Sequence, residues 1–218
     1  MANQDERALL AQTLDFFGRV TASATHEIKN ELAVMNEQSR LIQEMLALGR
    51  EGRQPKPERL EELIGRVLAR LDQADRAVRR LNQFAHSADL ERRQADAGQA
   101  LSVVGALFGR IASRHRVGLA TEAPEAAAEL PCRPMLLQQA IWCCLEAVAA
   151  AAEPEAEISA AVERREQGLA ISFRASLAGE AEAPPAEVLA PLGARVQALA
   201  GGGLELVLPA GGPEGEPA

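Results

Sequence analysis

Between about Gln4 and Leu48 the chain has no proline and a single glycine, Gly18, so nothing along this stretch breaks a helix. Apolar or small residues recur at Leu10, Leu14, Phe17, Ala24, Ile28, Met35, Ile42 and Met45, the spacing of one helical face. At 1.5 Å per residue such a helix is a rod of roughly 65 Å. A lone rod of that length cannot bury its stripe. A breaker-rich connection follows, Gly49-Arg50-Glu51-Gly52-Arg53-Gln54-Pro55-Lys56-Pro57, and then a second periodic run at Leu60, Leu63, Ile64, Val67, Leu71, Ala74, Val78, Leu81 and Phe84. The pair predicts a long antiparallel helical hairpin. Two such hairpins close a four-helix bundle, so a homodimer is the expected way to complete the core.

Beyond about Ala95 the pattern changes. The sequence predicts a helix over Gly98–Arg114, a strand over Arg116–Thr121, an acidic Ala/Glu/Pro loop, and a helix opened by Pro134 and running to about Ala152. Strands are expected at Glu157–Arg164 and Gly168–Ser176, around a polar turn at Glu166-Gln167-Gly168. A helix near Glu187–Ala200 and a strand at Gly203–Leu208 complete the series. Helices alternating with largely antiparallel strands indicate a small two-layer α/β sandwich. The fold class is therefore α+β: a hairpin domain over residues 1–93, a sandwich over 94–210, and a disordered tail over 211–218.

Hydrophobic residues make up 47% of the chain but aromatics only 3%, with no tyrosine, so the core must be built from Leu, Ala, Val and Ile. Net charge is −8 and the arginines are scattered among glutamates, which argues against a nucleic-acid partner. Cys132, Cys143 and Cys144 form no C-x-x-C pair, and the adjacent two read as small buried thiols. The first residues, Met1-Ala2-Asn3-Gln4-Asp5-Glu6, carry neither a basic region nor an apolar core, which predicts no secretory leader and no preceding sensor domain. Glu146 and Glu153 interrupt the longest apolar stretch, so no membrane span is expected. A reducing, bacterial cytoplasm is the setting these features lead one to expect.

With His26 set at zero on a helical wheel of about 100° per residue, Phe17, Ala24, Ile28 and Met35 fall at roughly 160–200°. His26 therefore points away from the stripe. Around it lie Arg19, Ala22, Lys29, Asn30, Ala33, Glu37 and Arg40. Ala22 and Ala33 are small enough for another protein to approach, and Arg19 and Lys29 could offset the charge of a phosphoryl group. A neutral imidazole offers a nitrogen lone pair near neutral pH. Glu27 could hydrogen-bond the other ring nitrogen or take up its proton, and Asn30, one turn on, could orient a water or a phosphoryl oxygen. On spacing alone, an exposed His beside a Glu is more often just a solvated face, and His86 and His115 are read that way. No His, Cys and carboxylate set has metal-ligand spacing, and there is no G-x-S-x-G or phosphate-cradling glycine loop.

Thr25-His26-Glu27-Ile28-Lys29-Asn30-Glu31-Leu32 resembles the H-box of bacterial sensor histidine kinases, H-E-[IL]-[KR]-N-P-L, with the proline replaced by Glu31. The order of elements, a long hairpin and then a smaller α/β domain, is similar as well. The resemblance implies that His26 is phosphorylated, Glu27 is its acid/base partner, and Asn30 positions water for dephosphorylation. Leu137-Gln138-Gln139-Ala140-Ile141-Trp142-Cys143-Cys144-Leu145-Glu146-Ala147 looks like the N-box helix of the kinase ATPase domain, L-x-Q-V-L-x-N-L-x-x-N-A. Cys143 and Ala147 stand where its asparagines would be. The strand Leu169–Ser176 should run into D-x-G-x-G; it runs into Ala175-Ser176-Leu177-Ala178-Gly179, and the segment up to Pro191 is short and Gly-poor for an ATP lid. Phosphoryl transfer from ATP rests on positioning and metal-assisted charge neutralisation, and these positions supply neither.

The combination resembles the dimeric histidine phosphotransferases of bacterial phosphorelays, which keep the histidine hairpin beside a degenerate ATPase-like domain. That likeness implies no cofactor on this chain, response-regulator receiver domains as partners, and Mg²⁺ held by the receiver. It implies a docking face made of Asn30, Ala33, Val34 and Glu37 below His26 with nearby positions of the second helix, beside Arg19, Ala22 and Lys29. Two other readings stay open: an ATP-dependent kinase fragment (or a phosphatase using Asn30), and a non-catalytic adaptor that sequesters a signalling partner.

Overall fold

The computed structural model describes residues 2–50, 56–89, 93–122, 124 and 126–211, with no side chain described at 2–6 or 8. Residues 51–55 of the predicted connection, 123 and 125 of the acidic loop, and 212–218 of the predicted tail lie outside them. The chain forms two compact units, Arg19–Asn82, and Met1–Gly18 together with Gln83–Ala218.

The first unit is the hairpin. Helix α1 spans Ala2–Arg50 and α2 spans Pro57–His86, their middle portions making up this unit. Their antiparallel course is fixed by two ion pairs, Glu27 with Arg80 and Glu31 with Arg70, in which the partner number falls as the α1 number rises. Val20, Ala24, Leu63, Ala74 and Ala77 are buried in the seam, and Ile28, Met35, Ile42, Val67 and Leu81 are half-buried. The expected stripe was wider. Ile64, Leu71 and Val78 stay exposed, joined by Leu32, Leu41, Leu46, Leu48 and Leu68. A two-helix seam has room for only a narrow strip of each helix, so the rest of each apolar face is left open.

The second unit is an α/β sandwich. Its elements are β1 (Ala95–Asp96), α3 (Ala97–His115), β2 (Gly118–Glu122), β3 (Glu129–Leu130), α4 (Pro134–Ala151), β4 (Glu157–Arg165), β5 (Gly168–Arg174), α5 (Ala186–Leu189), β6 (Arg195–Ala198) and β7 (Gly203–Pro209). The main sheet has the order β2-β4-β5-β7-β6. Only β2 and β4 run parallel; the other neighbours are antiparallel. Alternation sorts its faces. Ile158, Ala160, Val162, Leu169, Ile171, Phe173, Leu204, Leu206 and Leu208 are buried on the face that α3 and α4 cover. The other face carries Ser172 and Glu205. The Glu205 carboxylate accepts from Arg165 Nη2 at 2.9 Å and Gln197 Nε2 at 2.6 Å, which satisfies a charge that is itself buried.

Asp96 begins α3. One carboxylate oxygen accepts from Gln99 N at 2.6 Å as the N-cap; the other accepts from Ala128 N at 2.8 Å and fixes the chain entering β3. The start of α1 belongs to this unit. Phe16 packs edge-on to Trp142 (5.7 Å between ring centres) and Phe84 (5.5 Å); Phe17 stacks on Phe84, and Phe108 meets Trp142 at 5.2 Å. Leu10 and Leu14, expected in the stripe, are instead exposed, because Phe16 takes the inward face.

The helix expected over Glu187–Ala200 is corrected. α5 ends at Leu189, a 3₁₀ turn covers Ala190–Leu192, and Gly193 in the left-handed region (φ 59°) stops it. The released chain, Arg195–Ala198, pairs with β7 as an edge strand. Strands β1 and β3, which pair with each other, were not foreseen. The turn into β7 uses Gly203 at φ +110°, where an added Cβ would overlap the Phe173 carbonyl oxygen. Gly203→Ala is therefore expected to cost about 3 kcal/mol in urea unfolding, against near zero for Gly179→Ala, whose surroundings are open.

Helix α4 is long and apolar enough to cross a membrane by length and composition. Yet 67% of the stretch is buried, and its packing against the sheet gives that composition another cause.

Candidate functional site

His26 sits in the middle of α1, with helix continuing more than five turns on either side. Its imidazole is exposed, as the wheel requires, since Ala24 and Ile28 turn into the seam. Lys29 and Asn30, one turn toward the C-terminus, are exposed; so are Ala22 and Arg19 on the turns before. Ala33 and Glu37 continue the same exposed strip, and Val34 is half-buried at its edge. Helical periodicity alone brings these residues together, and the surface they form is convex.

Glu27 differs from its neighbours. It is half-buried at the margin of the seam, and its Oε1 lies 3.8 Å from Arg80 Nη2 on α2. Glu31, which occupies the position where the H-box has proline, is also half-buried, with Oε2 3.2 Å from Arg70 Nη1. Arg70 is held in turn by Gln73 Oε1 at 2.9 Å. A proline there would remove a backbone donor and bend the helix. With glutamate the helix runs on unbroken and is tied across the hairpin just beyond His26. Reading the motif did not find Arg70 and Arg80. They lie ten residues apart on another helix, and only the hairpin register could have paired them with Glu31 and Glu27.

The helix that resembles an N-box is α4. Cys143 and Ala147 are half-buried, one turn apart, and Cys144 is fully buried, so the expectation of two buried thiols holds for one. Burial pushes the Cys144 thiol well above its usual range and raises Cys132 to about 11. Neither is a nucleophile at neutral pH. Beyond β5 the chain turns back onto the end of α4. Leu177 bridges to Ala152, Ala178 N donates to Ala151 O at 2.8 Å, and Glu153 N donates to Ser176 O at 2.9 Å. Gly202 packs against the Ala175 carbonyl, where a Cβ would not fit. The segment from Ala175 to Gly179 is therefore backbone-pinned and carries no carboxylate. Among the described residues no group of three His, Cys, Asp or Glu could hold a metal ion.

No protein-family model and no curated protein matches the chain. Solved structures do resemble it. A bacterial phosphotransferase is 14% identical, with a TM-score of 0.48 over 88% of this chain and 95% of that one. The histidine kinase AdeS of Acinetobacter baumannii is 11% identical, with a TM-score of 0.44 over 85% and 98%. A histidine kinase from Burkholderia phymatum is 15% identical, with a TM-score of 0.43 over 90% and 98%.

Proposed function

We propose that this chain is a histidine phosphotransfer protein of a two-component phosphorelay, in which His26 carries phosphate between aspartates of receiver domains in the cytoplasm. The observation that carries this reading is the exposed His26 in Thr25-His26-Glu27-Ile28-Lys29-Asn30, on a sequence whose second unit has Cys143, Ala147 and Ala175–Gly179 where an ATP site would need carboxamides and a carboxylate. Thiol and methyl groups do not fit Mg-ATP, so phosphate has to arrive from another protein.

In the forward step the unprotonated His26 nitrogen attacks the phosphorus of an aspartyl phosphate. The new P–N bond forms as the P–O bond to the aspartate breaks, and the aspartate leaves as a carboxylate. The proton on the other imidazole nitrogen passes to Glu27 or to water. The reverse sequence loads a second receiver. Lys29 and Arg19 stabilise the transferring oxygens, and Ala22, Ala33, Val34 and Glu37 form the surface that the receiver meets. Mg²⁺ belongs to the receiver. Purified protein mixed with a ³²P-labelled receiver, without nucleotide, is expected to become labelled. Labelling from Mg-ATP alone would instead make it a kinase, and tight receiver binding without labelling an adaptor.

The functional unit is a homodimer. Ile64, Leu68, Leu71 and Val78 follow one another along α2 at intervals of four, three and seven residues, the seam of a helical bundle. A second copy would cover them together with Leu32, Leu41 and Leu48 of α1. Placing glutamate at both Leu68 and Leu71 is expected to weaken dimerisation by at least about 100-fold in sedimentation velocity, as removal of central apolar contacts does.

A further inference from the structure

We propose that Arg80 is a positioning residue for the phosphoryl transfer: it holds the Glu27 carboxylate from across the hairpin, so that Glu27 meets the imidazole of His26 in one orientation. The inference rests on the phosphotransfer reading above.

Glu27 is the residue most in need of such a partner. A glutamate side chain on a helix surface samples several rotamers, and one that must receive a proton from its neighbour loses rate to each unproductive one. Here the carboxylate is drawn into the margin of the seam, with Oε1 3.8 Å from Arg80 Nη2. The guanidinium is itself oriented, since Arg80 Nε donates to the Arg76 carbonyl at 3.1 Å. Arg80 is the more sheltered partner, with 28% of its side chain exposed against 38% for Glu27. Two neighbouring cations are engaged elsewhere: Arg79 with Asp75 at 2.7 Å, and Arg70 with Glu31. The separation of 3.8 Å is a charge contact looser than a formed hydrogen bond. Glu27 is thus steered through Oε1 alone, and Oε2 is the atom assigned to the imidazole N–H. A tight bidentate pair would immobilise it.

The experiment measures the transfer rate from a ³²P-receiver to the full-length dimer for wild type, Arg80→Ala, Arg80→Lys, Arg79→Ala, Glu27→Gln and the double variant Glu27→Gln with Arg80→Ala. Circular dichroism and sedimentation confirm that each is a folded dimer. Arg80→Ala is expected to slow transfer ~10-fold, a share of what a positioned acid/base group supplies. Arg80→Lys should recover part of that loss, and Arg79→Ala should transfer at the wild-type rate. In the Glu27→Gln background the Arg80 substitution should have no further effect, because its only route to the chemistry has gone. An Arg80→Ala rate equal to that of Arg79→Ala overturns the proposal. So does an Arg80 effect that persists undiminished without Glu27, which would make it a docking residue. If wild type takes no label at all, the phosphotransfer reading itself fails and this inference falls with it.

Discussion

Replacing His26 with alanine is expected to abolish phosphoryl acceptance, lowering the rate by at least roughly three orders of magnitude, because no other group on that surface can form the phosphoramidate. Lys29 serves as a cation toward the phosphoryl oxygens, Asn30 is a poor nucleophile, and the three cysteines lie in the other unit. The fold should hardly notice. An exposed side chain in mid-helix that is replaced by the best helix former changes stability within about 0.5 kcal/mol. The two expectations together make the variant diagnostic, since a full thermal transition with no ³²P transfer isolates the chemistry. Undiminished labelling of His26→Ala would place the acceptor elsewhere.

The largest effect on stability is expected at Trp142. It is the chain's one tryptophan, it is buried, and it stands between Phe16 and Phe108 with ring centres 5.7 and 5.2 Å away. Trp142→Ala would empty the middle of a cluster that holds four of the five phenylalanines. It should cost about 3–5 kcal/mol, or roughly 10 °C in melting temperature for a chain of this size. Trp142→Phe should cost much less. The indole Nε1 is buried without a hydrogen-bond partner, so phenylalanine removes an unsatisfied donor as well as some volume. If the two variants melted together, aromatic packing would not be what anchors the start of α1.

Much of this architecture was legible in the sequence because its signals are local. Pro57 and Pro134 mark where helices begin, Gly168 sits at a strand start, and unbroken periodicity carries α1 to its full length. The outward direction of His26 followed from its neighbours at 24 and 28. Contacts distant in sequence were less visible. That Phe16, and not Leu10 or Leu14, turns inward depends on Trp142. That residues 195–198 form a strand depends on Gly193 stopping a helix which the composition favours, and on β7 being there to pair with. The cross-hairpin arginines were illegible for the same reason. A motif shows what stands beside a histidine on its own helix, and Arg80 stands on the other.

The aromatic cluster has a consequence for how the protein is made. Thr13 hydrogen-bonds to Gln139, 126 residues further on, and Phe16 finds Trp142 at a similar remove. At roughly 5–20 residues per second, the start of α1 leaves the ribosome on the order of ten seconds before its binding site exists. During that interval Leu10, Leu14, Phe16 and Phe17 have only the nascent hairpin for company. Helix α4, synthesised long after α1, completes the docking site of the first.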